Sequence, residues 1–173
     1  MKVKLTNVRM VFPEIFKKGV FDGKETKYQA SFLIPKKDTK TYDAIIKSIE
    51  DVKKSYKDPN IKISNSKLFV VDGDDVDSEY DTFQDHWVVR ASNSQRPTAL
   101  DRDKTPLQPE DGKVYSGVYV NAIIEPWIQD NQFGKRVNAN LLGIQFSQHG
   151  DPLGGAKVAN EDDFDDLGDE DFE

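Results

Sequence analysis

The sequence predicts a mainly β fold with one amphipathic helix inserted among antiparallel strands, and with long loops. Three patterns carry that expectation. Tyr28 to Ile34 alternates strictly, with Tyr28, Ala30, Phe32 and Ile34 on one face and Gln29, Ser31 and Leu33 on the other; a period of two marks a strand. From Asp38 to Tyr56 the apolar residues Tyr42, Ile45, Ile46, Ile49, Val52 and Tyr56 recur at helical spacing and form one stripe. Lys113 to Phe146 reads as two long strands and their turn. Its first arm is rich in β-branched and aromatic residues from Val114 to Ile128, and its second alternates Val137, Ala139 and Leu141 with Asn138 and Asn140.

In chain order, Lys2 to Phe12 is a first strand. Val3 and Leu5 are in phase, as are Val8 and Met10, so the phase slips near Thr6-Asn7, which predicts a bulge. Pro13 to Lys27 reads as a loop. The Tyr28 strand ends at Pro35, and Asp38-Thr39 offers the helix an N-cap. Asp58-Pro59 stops the helix, and Leu68 to Val71 is a short strand. An acidic loop follows, with Asp72, Asp74, Asp75, Asp77, Glu79, Asp81 and Asp85. His86 to Ser92 is the next strand, Pro97 to Leu100 starts another, and Asp101 to Gly112 is a loop punctuated by Pro106, Pro109 and Gly112. In the last hairpin the turn formers are Asp130-Asn131-Gln132-Phe133-Gly134. Five or more strands with one helix after the early ones fit an OB-like barrel. The body is expected to span residues 1–158, leaving 159–173 as an acidic tail too charged to fold alone.

At 173 residues the chain fits one domain with room for a core. It has no apolar run long enough for a transmembrane helix and no apolar signal-peptide centre, so no membrane partner is expected. The absence of cysteine removes disulfides and thiolate metal sites and fits a reducing, cytoplasmic setting. The net charge of −7 hides a division. Glu161 to Glu173 holds 9 acids and no base; residues 1–160 hold 22 acids against 24 bases, and residues 1–70 hold 16 bases against 8 acids. A basic half and an acidic tail point to a polyanion site and to a segment that mimics a polyanion.

Catalysis has little to stand on. The histidines are His86 and His149, and no phosphate loop or nucleophile motif is present. The acidic loop lacks calcium-loop spacing, and no lysine or histidine stands at a suggestive distance in sequence from it. A binder without cofactor is therefore expected. Single-strand binding needs cations for phosphates and flat rings for bases. Tyr119, Trp127 and Phe133 are the stacking candidates, with core packing as the alternative for Tyr119 and Trp127. Lys135, Arg136, Arg90 and Arg96 are the phosphate candidates, and Lys17, Lys18, Lys24 and Lys27 of the first loop are placed to line the same groove.

Several short runs also occur in a recognisable order. They are Tyr115-Ser116-Gly117-Val118-Tyr119-Val120-Asn121-Ala122, Trp127, Gln129-Asp130-Asn131, Gly134-Lys135-Arg136-Val137-Asn138-Ala139 and Leu142-Gly143-Ile144-Gln145-Phe146. Together they resemble a bacteriophage single-stranded DNA-binding protein family, clearly over residues 112–173 and more weakly over Lys2 to Phe12 and Trp87 to Pro97. The resemblance implies an OB-fold body, single-stranded DNA as ligand and the bacterial host cytoplasm as setting. It also implies work in phage replication, recombination or repair. It further implies a tail, with Asp165, Asp166, Asp169, Glu170, Asp171 and Phe172, that competes for the DNA groove and engages replication or recombination proteins. Homodimerisation stays open. So do three rivals: a strand-annealing recombination protein, a metal-dependent nuclease using Asp72 to Asp85, and an acidic decoy that binds a host enzyme.

Overall fold

The computed structural model describes residues 1–76, 81–153 and 164–168. In chain order the elements are β1 (Val3–Glu14), β2 (Val20–Phe21), β3 (Lys24–Glu25), β4 (Tyr28–Pro35), α1 (Thr39–Lys54), β5 (Val70–Asp72), β6 (His86–Asn93), β7 (Thr98–Leu100), β8 (Tyr119–Asn131) and β9 (Gly134–Gln148). β6, β4, β1, β8 and β9 are antiparallel neighbours in that order, and β6 meets β9 in parallel at Ser92 and Asn140. That last pairing closes a five-stranded OB-like barrel. β5 adds to β6, and β7 adds to β9.

The inward residues explain the closure. Leu5, Val8 and Met10 of β1, Ala30, Phe32 and Ile34 of β4, Val89 and Ala91 of β6, and Val120, Ala122 and Ile124 of β8 share one core with Val137, Ala139 and Leu141 of β9. The phase slip in β1 is real: register shifts between Leu5 and Val8, and Asn7 has a φ of 50°. α1 is capped by Asp38, whose carboxylate accepts from the Thr41 amide at 3.2 Å and from its hydroxyl at 2.7 Å. Its stripe buries Ile45 and Ile49, and Tyr42 stacks on Trp87 with ring centroids 4.3 Å apart. Lys53 and Lys54 fall in the last turn, where cations favour the helix dipole.

Four expectations are corrected. Strict alternation placed Leu33 and Val88 outward, yet both are buried, because Phe83 folds over that face and joins them with Val11 in a second apolar cluster. The loop of residues 13–27 contains a small hairpin, β2 paired with β3, turned by Asp22 and Gly23 with φ of 53° and 76°; an Asp-Gly pair suits a turn needing two positive φ values. β1 runs on through Glu14. The first arm of the long hairpin becomes regular strand only at Tyr119, since the chain bends at Gly117, φ 113°. There the backbone passes so near Asp151 that a Cβ would lie 2.1 Å from its carbonyl oxygen. At the other end the strands run into the expected turn, leaving only Gln132-Phe133 between the paired Asn131 and Gly134.

Candidate nucleic-acid interface

β1 covers β8 only as far as Ile124; from Glu125 to Asn131, β8 pairs with β9 alone and the two form a ribbon beyond the barrel wall. The Tyr56 hydroxyl, just past the end of α1, ties this ribbon to the turn after the helix by donating to the Asp130 carboxylate at 3.3 Å. Between the ribbon and the outer face of β4 and β6 lies an open trough of about 370 Å³. Register explains its walls. Ser31 stands beside Arg90 and Gln29 beside Ser92, all on the outward phase of their strands. On the ribbon, Trp127 is cross-strand to Asn138, and Gln129 to Arg136. The Asn138 amide donates to the Gln129 side chain at 2.8 Å.

The trough gathers four of the candidates: Lys27, Arg90, Trp127 and Arg136. Arg90 is exposed, while Trp127 and Arg136 are half-buried, so the indole has a wall behind it and a free side in front. Phe133 stands at the ribbon tip, 79% exposed, with Lys135 exposed two positions on. Lys17 and Lys24 are exposed in the β1–β4 connection, and Lys18 holds its ammonium 5.9 Å from the Tyr28 ring. Arg96 stacks its guanidinium over Phe16 at 5.3 Å, tying the β6–β7 turn to that connection. Tyr119 is not in the trough; it pairs with Arg9 and Gln148, and Gly150 crosses its ring. Of the tail candidates, Asp165 and Asp166 are exposed, and Asp169, Glu170, Asp171 and Phe172 lie outside the described residues, as do Asp77 and Glu79.

Phe12 escaped sequence reasoning. Alternation from Val8 and Met10 points it inward, but its φ of 50° and a register shift between Val11 and Glu14 turn it outward. It is 42% exposed, stacks on Phe83 with centroids 6.2 Å apart, and borders the trough. No local signal announces this reversal. Gln29, Ser31, Ser92 and Asn138 were legible as outward residues, but only the barrel closure brings them together.

The acidic segment is held by a cation distant in sequence. Lys36, at the end of β4, reaches Asp72 and Asp74 at 2.7 Å each. The Asp74 carboxylate also accepts from the Asp85 amide at 2.8 Å. Hydrogen bonds from Lys36 hold both carboxyls below the ordinary value and raise the lysine above its own. The Lys36 ammonium also lies 5.1 Å from the Trp87 ring. Two of the loop's carboxylates are thus committed to an internal ammonium, and no group of three or more metal-ligating side chains occurs among the described residues.

A closed five-stranded OB-like barrel, with an open trough of arginines, amides and an indole on its outer strands, defines a protein of the nucleic-acid-binding OB class. The chain belongs to the family described as Enterobacter phage Enc34, ssDNA-binding protein, which matches residues 1–173 and is a family of binding proteins, not of enzymes. It is 42% identical over 179 residues to protein p50 of Acyrthosiphon pisum secondary endosymbiont phage 1, covering 96% of this chain and 94% of that one. The single-stranded DNA-binding protein of bacteriophage Enc34, solved in complex with ssDNA, superposes with a TM-score of 0.81 at 35% identity, over 88% of this chain and 89% of that one. The single-stranded DNA-binding protein of bacteriophage T7 shares the fold at 13% identity, with a TM-score of 0.57 over 92% of this chain and 98% of that one. No helix among the described residues is long and apolar enough to cross a membrane.

Proposed function

We propose that the chain binds single-stranded DNA in this trough without sequence preference, and so protects and organises single strands during phage replication, recombination or repair. The observation that carries the reading is the convergence of Arg90, Arg136, Lys27 and Trp127 on one open surface of an OB-like barrel. The arginines and Lys27 neutralise phosphates, with Lys135 extending the cationic track along the ribbon. Trp127 offers a flat face to one base, Phe133 to a second at the tip, and Phe12 closes the far side. Every base has such a face and every nucleotide a phosphate, so the binding is indifferent to sequence. In a duplex those faces are already stacked, which selects for single strands.

In the absence of DNA, the tail carboxylates, including Asp165 and Asp166, occupy the cationic trough and weaken binding. DNA displaces them, and the freed tail with Phe172 as its apolar anchor engages replication or recombination proteins. A chain ending at Asn160 tests the competition. It is expected to bind an oligo-dT more tightly than the full chain at low salt, with the difference fading as salt screens the tail; equal affinity at low salt refutes it.

A further inference from the structure

A second cationic groove, of about 390 Å³, shares no lining residue with the trough. It lies on the outer faces of β8 and β9, between β7 and the start of β1. Its floor is apolar, made by Ile123, Leu100 and Leu142, and its rim carries Lys2, Lys4 and Lys104. Ile123 is 39% exposed although it sits mid-strand, with Lys4 across from it on one side and Gly143 on the other. Gly143 lets β7 lie close along the groove: a Cβ there would meet the Thr98 carbonyl oxygen at 3.1 Å. None of the three lysines makes an ion pair among the described residues. An apolar floor under three uncommitted ammoniums suits a short acidic segment with apolar ends.

The chain carries such a segment. Phe164 and Leu167 are 70% and 84% exposed, and Asp165 and Asp166 stand between them. The Gly168 amide donates to Asp166 at 2.8 Å and turns the backbone after Leu167. The segment is also within reach. After Gly150 crosses the Tyr119 ring on the outward side of β8, the described chain runs on to Leu153, which packs on the cluster of Val11, Leu33, Phe83 and Val88 and donates its amide to the Ser116 carbonyl at 2.7 Å. Ser116, which holds Leu153, lies seven positions before Ile123, at most about 24 Å at the usual rise. Residues 154–163 separate Leu153 from Phe164, and ten residues span up to about 33 Å. Tethering at that range gives an effective concentration on the order of millimolar, so a modest contact suffices.

We propose that, when DNA fills the trough, Phe164 to Leu167 of the same chain dock in the groove bounded by β7, β8, β9 and the start of β1. Phe164 and Leu167 cover Ile123 and Leu142, and Asp165 and Asp166 meet Lys4 and Lys104. The tail then has two seats on one body, and DNA sets which one it takes; this builds on the reading that DNA displaces the tail. The lack of native cysteine makes the test clean. The full chain with Gly168→Cys carries a benzophenone on the new thiol, is saturated with oligo-dT and is irradiated, and the crosslinks are mapped by mass spectrometry. The expected result is crosslinks within one chain to the strands around Ile123 and Leu142. Lys4→Glu with Lys104→Glu, or Ile123→Gln alone, should reduce them severalfold with the oligonucleotide still held at saturation, and any change in its affinity should be a loss, because the tail is returned to the trough. Absence of body crosslinks with DNA bound overturns the proposal. So do crosslinks that persist undiminished in both variants, or that join two chains. Failure of the competition reading shows separately, as equal DNA affinity with and without the tail while the groove crosslinks remain.

Discussion

Replacing Arg90 and Arg136 together by alanine tests the trough through its electrostatics. Neither side chain makes an ion pair or side-chain hydrogen bond among the described residues. Their loss should therefore leave the barrel intact and change what the surface attracts. Each phosphate neutralised on a single strand contributes about 0.7 to the slope of log affinity against log salt, so removing two contacts lowers the slope by about 1.4. Over a fourfold rise in salt, the unaltered chain then loses about sevenfold more affinity than the variant does. The assay is fluorescence anisotropy of a labelled oligo-dT at four or more salt concentrations, with thermal unfolding as a check on folding. An unchanged slope, whatever the absolute affinity, would show that these arginines do not meet phosphates and would refute the placement of the strand in the trough.

Trp127→Ala should behave in the opposite way, costing roughly 1–3 kcal/mol, or about 5- to 150-fold in affinity, with little change in slope. Trp127→Phe should recover most of that loss, because its role is to offer a flat face. Tryptophan fluorescence should be quenched by oligo-dT in the full chain and insensitive to it in Trp127→Phe, since Trp87 lies outside the trough, stacked on Tyr42 with the Lys36 ammonium 5.1 Å from its ring. Lys36→Ala should loosen the acidic segment. Asp72 and Asp74 sit below the ordinary carboxyl value of 3.8, so the stability they share with Lys36 is present above that value and is lost as pH falls through their lowered ones. Urea midpoints of the two chains should therefore differ at neutral pH and converge as pH falls below the ordinary carboxyl value. Gly117→Ala should destabilise the chain by at least ~1 kcal/mol, seen as a lower urea midpoint, because a Cβ at φ 113° would run into the Asp151 carbonyl.

The elements themselves were largely written in periodicity. The strict alternation of Tyr28 to Ile34 and the Ile45/Ile49 stripe of α1 appear where a local pattern dictates them. So does the phase slip in β1, because one extra residue in a ladder leaves a mark in the sequence. Contacts that depend on distant pieces were not legible. The lysine that grips Asp72 and Asp74 lies 36 and 38 positions away at the end of another strand. Leu33 and Val88 turned out buried because Phe83 covers a face that alternation assigned to solvent. The trough shows the same division. Trp127 and Arg136 could be nominated from the ribbon alone, and Arg90 from its strand. Their convergence required the barrel to close between β6 and β9. Phe12 was hidden altogether by a single left-handed residue.

The trough's geometry predicts a preference for single strands over duplex. The direct measurement is a titration of labelled poly-dT with the full chain, followed by anisotropy at several salt concentrations, with an unlabelled duplex of equal length as competitor. The expected result is tight binding that weakens steadily with salt and that the duplex does not displace. No binding at low salt, or equal displacement by duplex, would contradict it.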